Sequence, residues 1–263
     1  MFEYAFAERA LAAAVIVGLL CGLLGFFVIL RRLAFIGVGI SHSAIGGVAI
    51  GLLLGVDPGL SAAVFAVAVA LGMFSVARDR RLGEDAIIGV FLSGAMALGL
   101  LLVGMNHGYQ KDLFAYLFGS LLSVSTGDLW MLGALAAVLA SIIAVSFREM
   151  LFIAFDDEVA RAYNRPVDLF DAVLIVVLAL TVVAGVRVVG VLLVEALLVV
   201  PAATAALWTL DFRRQVALSM GLGAASAISG LYLSFAYDVS AGAAIVLVAV
   251  SAFFLSWVLR RGA

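Results

Sequence analysis

Apolar runs of about 20 residues follow one another along almost the whole chain, each closed by a short polar or charged interval. At about 1.5 Å of rise per residue, such a run matches the hydrocarbon thickness of a bilayer. Nine are long enough to cross: Ala10–Leu30, Phe35–Gly55, Leu60–Ala77, Ala86–Met105, Leu129–Phe147, Val167–Val186, Val188–Thr209, Val216–Ala236 and Ala241–Leu259. A shorter piece, Leu113–Ser125, is expected to be re-entrant or interfacial. Lipid supplies no partner for a free backbone N–H or C=O, so the runs must be helices. The pattern predicts an all-α polytopic membrane protein, a compact bundle of about nine transmembrane helices, or eight if the first run lies in the interface.

Composition agrees. The chain has 263 residues, 66% hydrophobic and 12% charged, with a mean hydropathy of +1.28. A soluble domain is about one-quarter charged and cannot bury that much apolar surface in one aqueous core. The net charge of −2 excludes a nucleic-acid-binding footprint. The one cysteine, Cys21, has no partner for an intrachain disulfide and is read as a packing residue. Three prolines leave no linker, so one transmembrane domain over residues 1–263 is expected, without a cleaved leader.

Charge placement predicts orientation. Arg31, Arg32, Arg78, Arg80, Arg81, Arg148, Arg161, Arg165, Arg213, Arg214, Arg260 and Arg261 follow odd-numbered runs and fall on one side. Arg9, Lys111 and Arg187 fall on the other. The positive-inside rule makes the larger set cytoplasmic, with the N-terminus outside and the C-terminus inside. Gly18 and Gly22, and Gly47, Gly51 and Gly55, recur every four residues. That spacing suits close helix–helix approach where lipid gives no hydrophobic drive for association.

The segment Arg148–Asp168 is expected to be the longest internal loop. Within it Asp156 suits an N-cap, and Asp157 and Glu158 a first turn. Phe155, Val159 and Tyr163 share a face, Asn164 suits the left-handed end, and Pro166 stops continuation. A two-turn amphipathic helix is too short to stand alone and calls for a partner groove. Asp156, Glu158, Val159, Ala160 and Tyr163 are the expected partner-binding residues.

Two ionisable residues fall well inside runs. His42 stands between Ser41 and Ser43, with Gly39 and Gly46 on its face, which predicts an imidazole open to a cavity and hydrogen-bonded to serine. Glu195 shares a face with Val191, Leu198 and Ala202, where the small Ala202 is expected to leave room beside the carboxylate, and Pro201 removes the donor to the Leu197 carbonyl. Intramembrane charge is costly and marks ion pathways. Imidazole with carboxylate suits borderline divalent metals, or a proton relay. His42 lies nearer the cytoplasmic end and Glu195 nearer the outer end, so they can be one ion's ligands or successive stations. His107 lies in an outer loop with Asp112 and is expected to be solvent-exposed, a surface contact or an entry ligand for the ion being the alternative.

The blocks "RRLAFIGVGISHSAIGGVAIGLLLG", "DLFAYLFGSLLSVSTGDL", "FDDEVARAYNRPV" and "VRVVGVLLVEALLVVPAATA" resemble, in order, those of membrane permeases from zinc and manganese uptake ABC transporters. The resemblance implies a type II ABC importer-like permease that dimerises, with itself or a sister chain, in the inner or plasma membrane of a prokaryote. It implies cytoplasmic ABC ATPase subunits, which hold the ATP, and an extracellular or periplasmic metal-binding protein. The cargo it implies is a divalent metal ion, zinc first, then manganese or iron, moved past His42 and Glu195. Many members carry an aspartate four residues before the histidine; here that position is Val38, and Glu195 stands where many have a neutral residue. The carboxylate is thus expected to have moved from the second run to the seventh. No G-x-x-x-x-G-K-[ST] appears, so the chain itself is expected to be no enzyme. The competing reading is a proton-coupled secondary transporter using His42 and Glu195. An iron-chelate or cobalamin cargo, which needs a wide cavity, fits the small-residue packing less well. An intramembrane metalloprotease lacks its H-E-x-x-H.

Overall fold

The computed structural model describes residues 5–78, 82–105 and 121–261. They form helices α1 (Ala5–Leu30), α2 (Ala34–Leu54), α3 (Pro58–Ala77), α4 (Glu84–Met105), α5 (Thr126–Phe155), α6 (Asp157–Ala162), α7 (Val167–Val189), α8 (Val191–Trp208), α9 (Phe212–Tyr237) and α10 (Ala241–Arg261), with a 3₁₀ turn at Leu121–Ser123. Among the described residues nine helices are long and apolar enough to span a bilayer, all but the short α6. Of the expected re-entrant piece Leu113–Ser125, residues up to 120 lie outside the described set, as do Arg80, Arg81, His107, Lys111 and Asp112.

Two boundaries differ from expectation. α5 does not stop near Phe147 but continues to Phe155, so Arg148 and Glu149 ride on the helix instead of in a loop. The α7–α8 break falls at Gly190, not around Arg187. Gly190 has φ 88°, a conformation that costs a side-chain-bearing residue energy and glycine almost none. Arg187 instead ends α7 and reaches Asp128 on the first turn of α5, 3.6 Å away.

The described residues group into two compact units. One takes in those of Met1–Ala34, Phe118–Ala140 and Gly185–Ala263; the other, those of Phe35–Leu117 and Ser141–Ala184.

In the first unit the spaced glycines act as the pattern predicts. A Cβ at Gly18 would lie 2.8 Å from the Gly223 carbonyl oxygen, and one at Gly22 would lie 2.7 Å from that of Ser219. The α1 and α9 backbones therefore touch, and the Ser219 hydroxyl donates across the seam to the Gly22 carbonyl at 2.7 Å. Replacing Gly22 with alanine must part the helices and lengthen that bond. We expect a loss of about 1–3 kcal/mol, the cost of overpacking a tight contact, read as a lowered unfolding midpoint in detergent.

In the second unit α2 packs on α3 the same way. A Cβ at Gly47 would stand 2.6 Å from the Ala62 Cα, and one at Gly51 2.9 Å from the Pro58 Cα. Asp57 caps α3 by accepting from the Leu60 N–H at 2.8 Å, and Pro58 opens the helix, where its missing N–H costs nothing.

Candidate functional site

His42 occupies the third turn of α2. The face it shares with Gly39 and Gly46 is not open. A Cβ at Gly39 would stand 3.0 Å from the Met73 Cε and 3.1 Å from the Ile88 Cγ2; one at Gly46 would stand 3.0 Å from the Ala95 carbonyl oxygen and from the Phe65 ring. The glycines draw α3 and α4 against α2. The flanking serines do not serve the imidazole either. Ser41 Oγ donates to the Val38 carbonyl at 3.0 Å and Ser43 Oγ to the Gly39 carbonyl at 2.6 Å, the usual back-bonding of a hydroxyl inside a helix.

What remains is unusual. The His42 side chain is half-buried, and its Nδ1 is sealed from solvent with no hydrogen-bond partner. A buried polar atom left unpaired costs about 1–3 kcal/mol, and native interiors rarely tolerate one without a reason. Thr181 of α7, in the same unit, is 2% exposed and its hydroxyl is likewise unpaired. Nothing in the sequence singled out Thr181: a threonine in an apolar run normally bonds back to its own helix.

Glu195 lies in the second turn of α8, half-buried. The space expected beside Ala202 is taken. Leu198 and Ala202 are buried, and a Cβ at Gly25 of α1 would strike the Leu198 carbonyl oxygen and lie 3.0 Å from the Ala202 Cβ. Pro201 lies inside α8, as anticipated. His42 and Glu195 belong to different units. Among the described residues no group of three or more His, Cys, Asp or Glu side chains forms a metal-holding cluster.

The Asp156–Pro166 segment folds as its residues suggest. The Asp156 carboxylate accepts from the Val159 N–H at 2.9 Å. At the other end Asn164 takes φ 54°. The Arg165 N–H donates to the Ala160 carbonyl at 3.0 Å and the Asn164 N–H to that of Arg161 at 2.9 Å, the paired bonds of a Schellman ending. Phe155, Val159 and Tyr163 are 70%, 40% and 72% exposed, an apolar surface left to water. Tyr163 meets the Phe152 ring edge-on at 6.4 Å. Glu158 is exposed, but Ala160 is fully buried with Ile153 and Val167, against which Phe170 packs. Ala160 therefore faces inward and anchors α6 instead of meeting a partner.

A charge network holds the segment to the helix ends. One oxygen of Asp168 receives Arg161 at 2.9 Å and Arg78, just past α3, at 3.0 Å, while Arg165 pairs with Glu149 of α5 at 3.2 Å. The bond from Asp168 holds the Arg161 guanidinium above its ordinary pKa. Solvent-exposed pairs of this kind stabilise little, but they fix where α6 sits relative to α3, α5 and α7.

The chain belongs to the ABC 3 transport family, which it matches over residues 3–260. A relative named as the manganese transport system membrane protein MntC of Listeria monocytogenes is 37% identical over 257 residues, covering 98% of this chain and 91% of the relative. The high-affinity zinc uptake system membrane protein ZnuB of Haemophilus influenzae is 30% identical over 256 residues, covering 97% of each. Among solved structures, PsaBC from Streptococcus pneumoniae in complex with Fab superposes with a TM-score of 0.86 at 34% identity, covering 97% of this chain and 92% of that one. The protein is thus a multi-pass membrane permease subunit with the type II ABC importer-like fold, a transport component and not itself an enzyme. Membership sets aside the proton-coupled secondary transporter.

Proposed function

We propose that this chain is the permease of an importer for a divalent transition-metal ion, and that the ion passes His42. The observation that carries the reading is the buried, unpaired Nδ1 of His42 on a membrane-spanning helix. A buried imidazole nitrogen that no protein group engages is a potential ligand atom, and a partly dehydrated divalent cation is a partner its chemistry suits. Glu195 supplies a carboxylate in a position where anionic charge is otherwise expensive. The names of the relatives support a metal cargo, manganese for MntC and zinc for ZnuB.

The remaining parts follow from this reading. ATP is bound and hydrolysed by cytoplasmic partner subunits, which seat on the exposed Phe155, Val159 and Tyr163 surface, with Asp156 and Glu158 at its rim. Their closure pushes on α6, and the Asp168 and Glu149 ion pairs pass the displacement to the spans. A second permease copy completes the path, and an external metal-binding protein delivers the ion. The arginine distribution supports a cytoplasmic C-terminus and an external N-terminus.

Reconstitution with the partner ATPase and binding protein tests the reading. ATP-dependent accumulation of radioactive manganese in proteoliposomes, challenged with unlabelled zinc or manganese, is expected. The metal that competes at the lower concentration is the cargo. Accumulation that proceeds without the ATPase would refute the proposal.

A further inference from the structure

The ends of α8, α9 and α10 carry a feature that ion transport does not use. The Arg260 guanidinium, in the last turn of α10, donates to the Trp208 carbonyl at the end of α8, 2.9 Å away. Asp211 then caps α9 by accepting from the Arg213 N–H at 2.9 Å. Arg213 and Arg214 sit in the first turn of α9, with no acidic residue in that turn. Two cations there oppose the helix dipole, which favours anions at an N-terminus. Arg213, Arg214, Arg260 and Arg261 are all exposed, and the Arg260–Trp208 bond brings the end of α10 to the short link between α8 and α9.

Their partners set them apart from the network around Asp168. Among the described residues Arg213, Arg260 and Arg261 have no carboxylate within ion-pair distance, and Arg214 reaches only Asp211, at 3.9 Å. Aromatic rings hold two of them in place: Arg213 lies over Phe212 at 5.7 Å and Arg261 over Trp257 at 3.9 Å. Beside them Leu210 is 99% exposed and Trp208 and Trp257 are partly exposed. Leu210 is an apolar side chain that water alone would leave unsatisfied. The patch lies at the ends of three helices long and apolar enough to span a bilayer, where such helices meet the boundary between hydrocarbon and water. Indole rings favour that depth, and clustered basic residues attract anionic lipid there, each by about fivefold at the surface.

From this placement we infer that Arg213, Arg214, Arg260 and Arg261 form a binding site for the phosphate headgroup of an anionic phospholipid. The guanidinium forks take the phosphate oxygens, and Leu210, Trp208 and Trp257 lie against the acyl chain. A phosphate among the four guanidinium groups offsets their mutual repulsion. The site is independent of the metal path and of the α6 surface.

Tryptophan quenching tests it on the full chain. Trp208 and Trp257 border the site, and Trp130, on α5, is not part of it. Brominated phosphatidylglycerol in phosphatidylcholine nanodiscs should quench fluorescence more than brominated phosphatidylcholine at the same fraction. Replacing all four arginines with glutamine should lower that preference about tenfold or more, while four lysines should retain most of it. Equal quenching by the two lipids in the unaltered protein would overturn the proposal without recourse to any variant. So would a preference that survives the glutamine substitutions. Inorganic phosphate that displaces the brominated lipid at millimolar levels would reassign the arginines to a free anion and overturn the lipid assignment.

Discussion

Metal uptake by the His42→Ala variant is expected to fall about 10- to 100-fold, with the thermal unfolding midpoint unchanged. The fall follows from losing one polar contact to a charged cargo, about 1.5–3 kcal/mol. The unchanged midpoint follows from the structure. His42 Nδ1 donates to and accepts from no protein group, so its removal breaks no hydrogen bond at that atom. Ser41 and Ser43 bond to the helix backbone and lose nothing. A purely structural histidine gives the reverse result, lowered stability with transport per folded molecule intact. The matching change at Glu195, to glutamine, keeps the side-chain shape and removes the charge. A fall in uptake there with altered metal preference would place it on the same path. Normal uptake in both variants would dismiss the proposed route.

The second large effect is expected at Tyr163. Its ring is 72% exposed and braced edge-on by Phe152, which pre-orients it at little entropic cost on binding. Aromatic anchors at interfaces cost about 2 kcal/mol or more when truncated. Tyr163→Ala, combined with Val159→Ser, should weaken ATPase association about 30-fold or more and abolish metal-stimulated ATP hydrolysis in the complex. Co-purification of the tagged subunits measures the first and phosphate release the second. Ala160→Leu serves as a counterpart. It adds bulk between Ile153 and Val167, where Ala160 has no exposed surface, and so displaces α6 from inside while its outer face stays intact. Full ATPase association in the Tyr163 and Val159 double variant would show that the partner seats elsewhere.

Local chemistry made the α6 segment legible in advance. A cap, a first turn, a left-handed ending and a proline stop each depend on residues a few positions apart, so Asp156, Asn164 and Pro166 could be assigned without tertiary knowledge. The role of Ala160 could not, because a small apolar residue on a short helix fits an interface or a core equally well. Thr181 escaped notice for a similar reason: only the absence of a partner makes its hydroxyl conspicuous.

Neighbours along the chain misstate the surroundings of His42 and Glu195. In sequence Gly39 and Gly46 read as empty space beside the imidazole, and Ala202 as empty space beside the carboxylate. In each case a helix distant in sequence occupies the gap: α3 and α4 around the first two, α1 at Gly25 against the last. A glycine or alanine states only that something can come close, not whether it is water, an ion or another backbone.

The chain alone decides that it lies in a membrane, that the nine bilayer-length helices among the described residues form, and where most of them start and stop. These follow from hydropathy and from the demand that every backbone group in lipid be bonded within its own helix. Which side of each helix meets protein is a different matter. Ile143 is fully buried and Val145, two residues on in the same helix, is 86% exposed, yet both are apolar and β-branched. Lipid and protein interior solvate such residues almost equally, so no polar stripe records the difference. Only the close approach of glycine-lined backbones, the capture of Arg78 and Arg161 by one Asp168 oxygen, and the isolation of His42 Nδ1 reveal it, because each depends on which helices become neighbours.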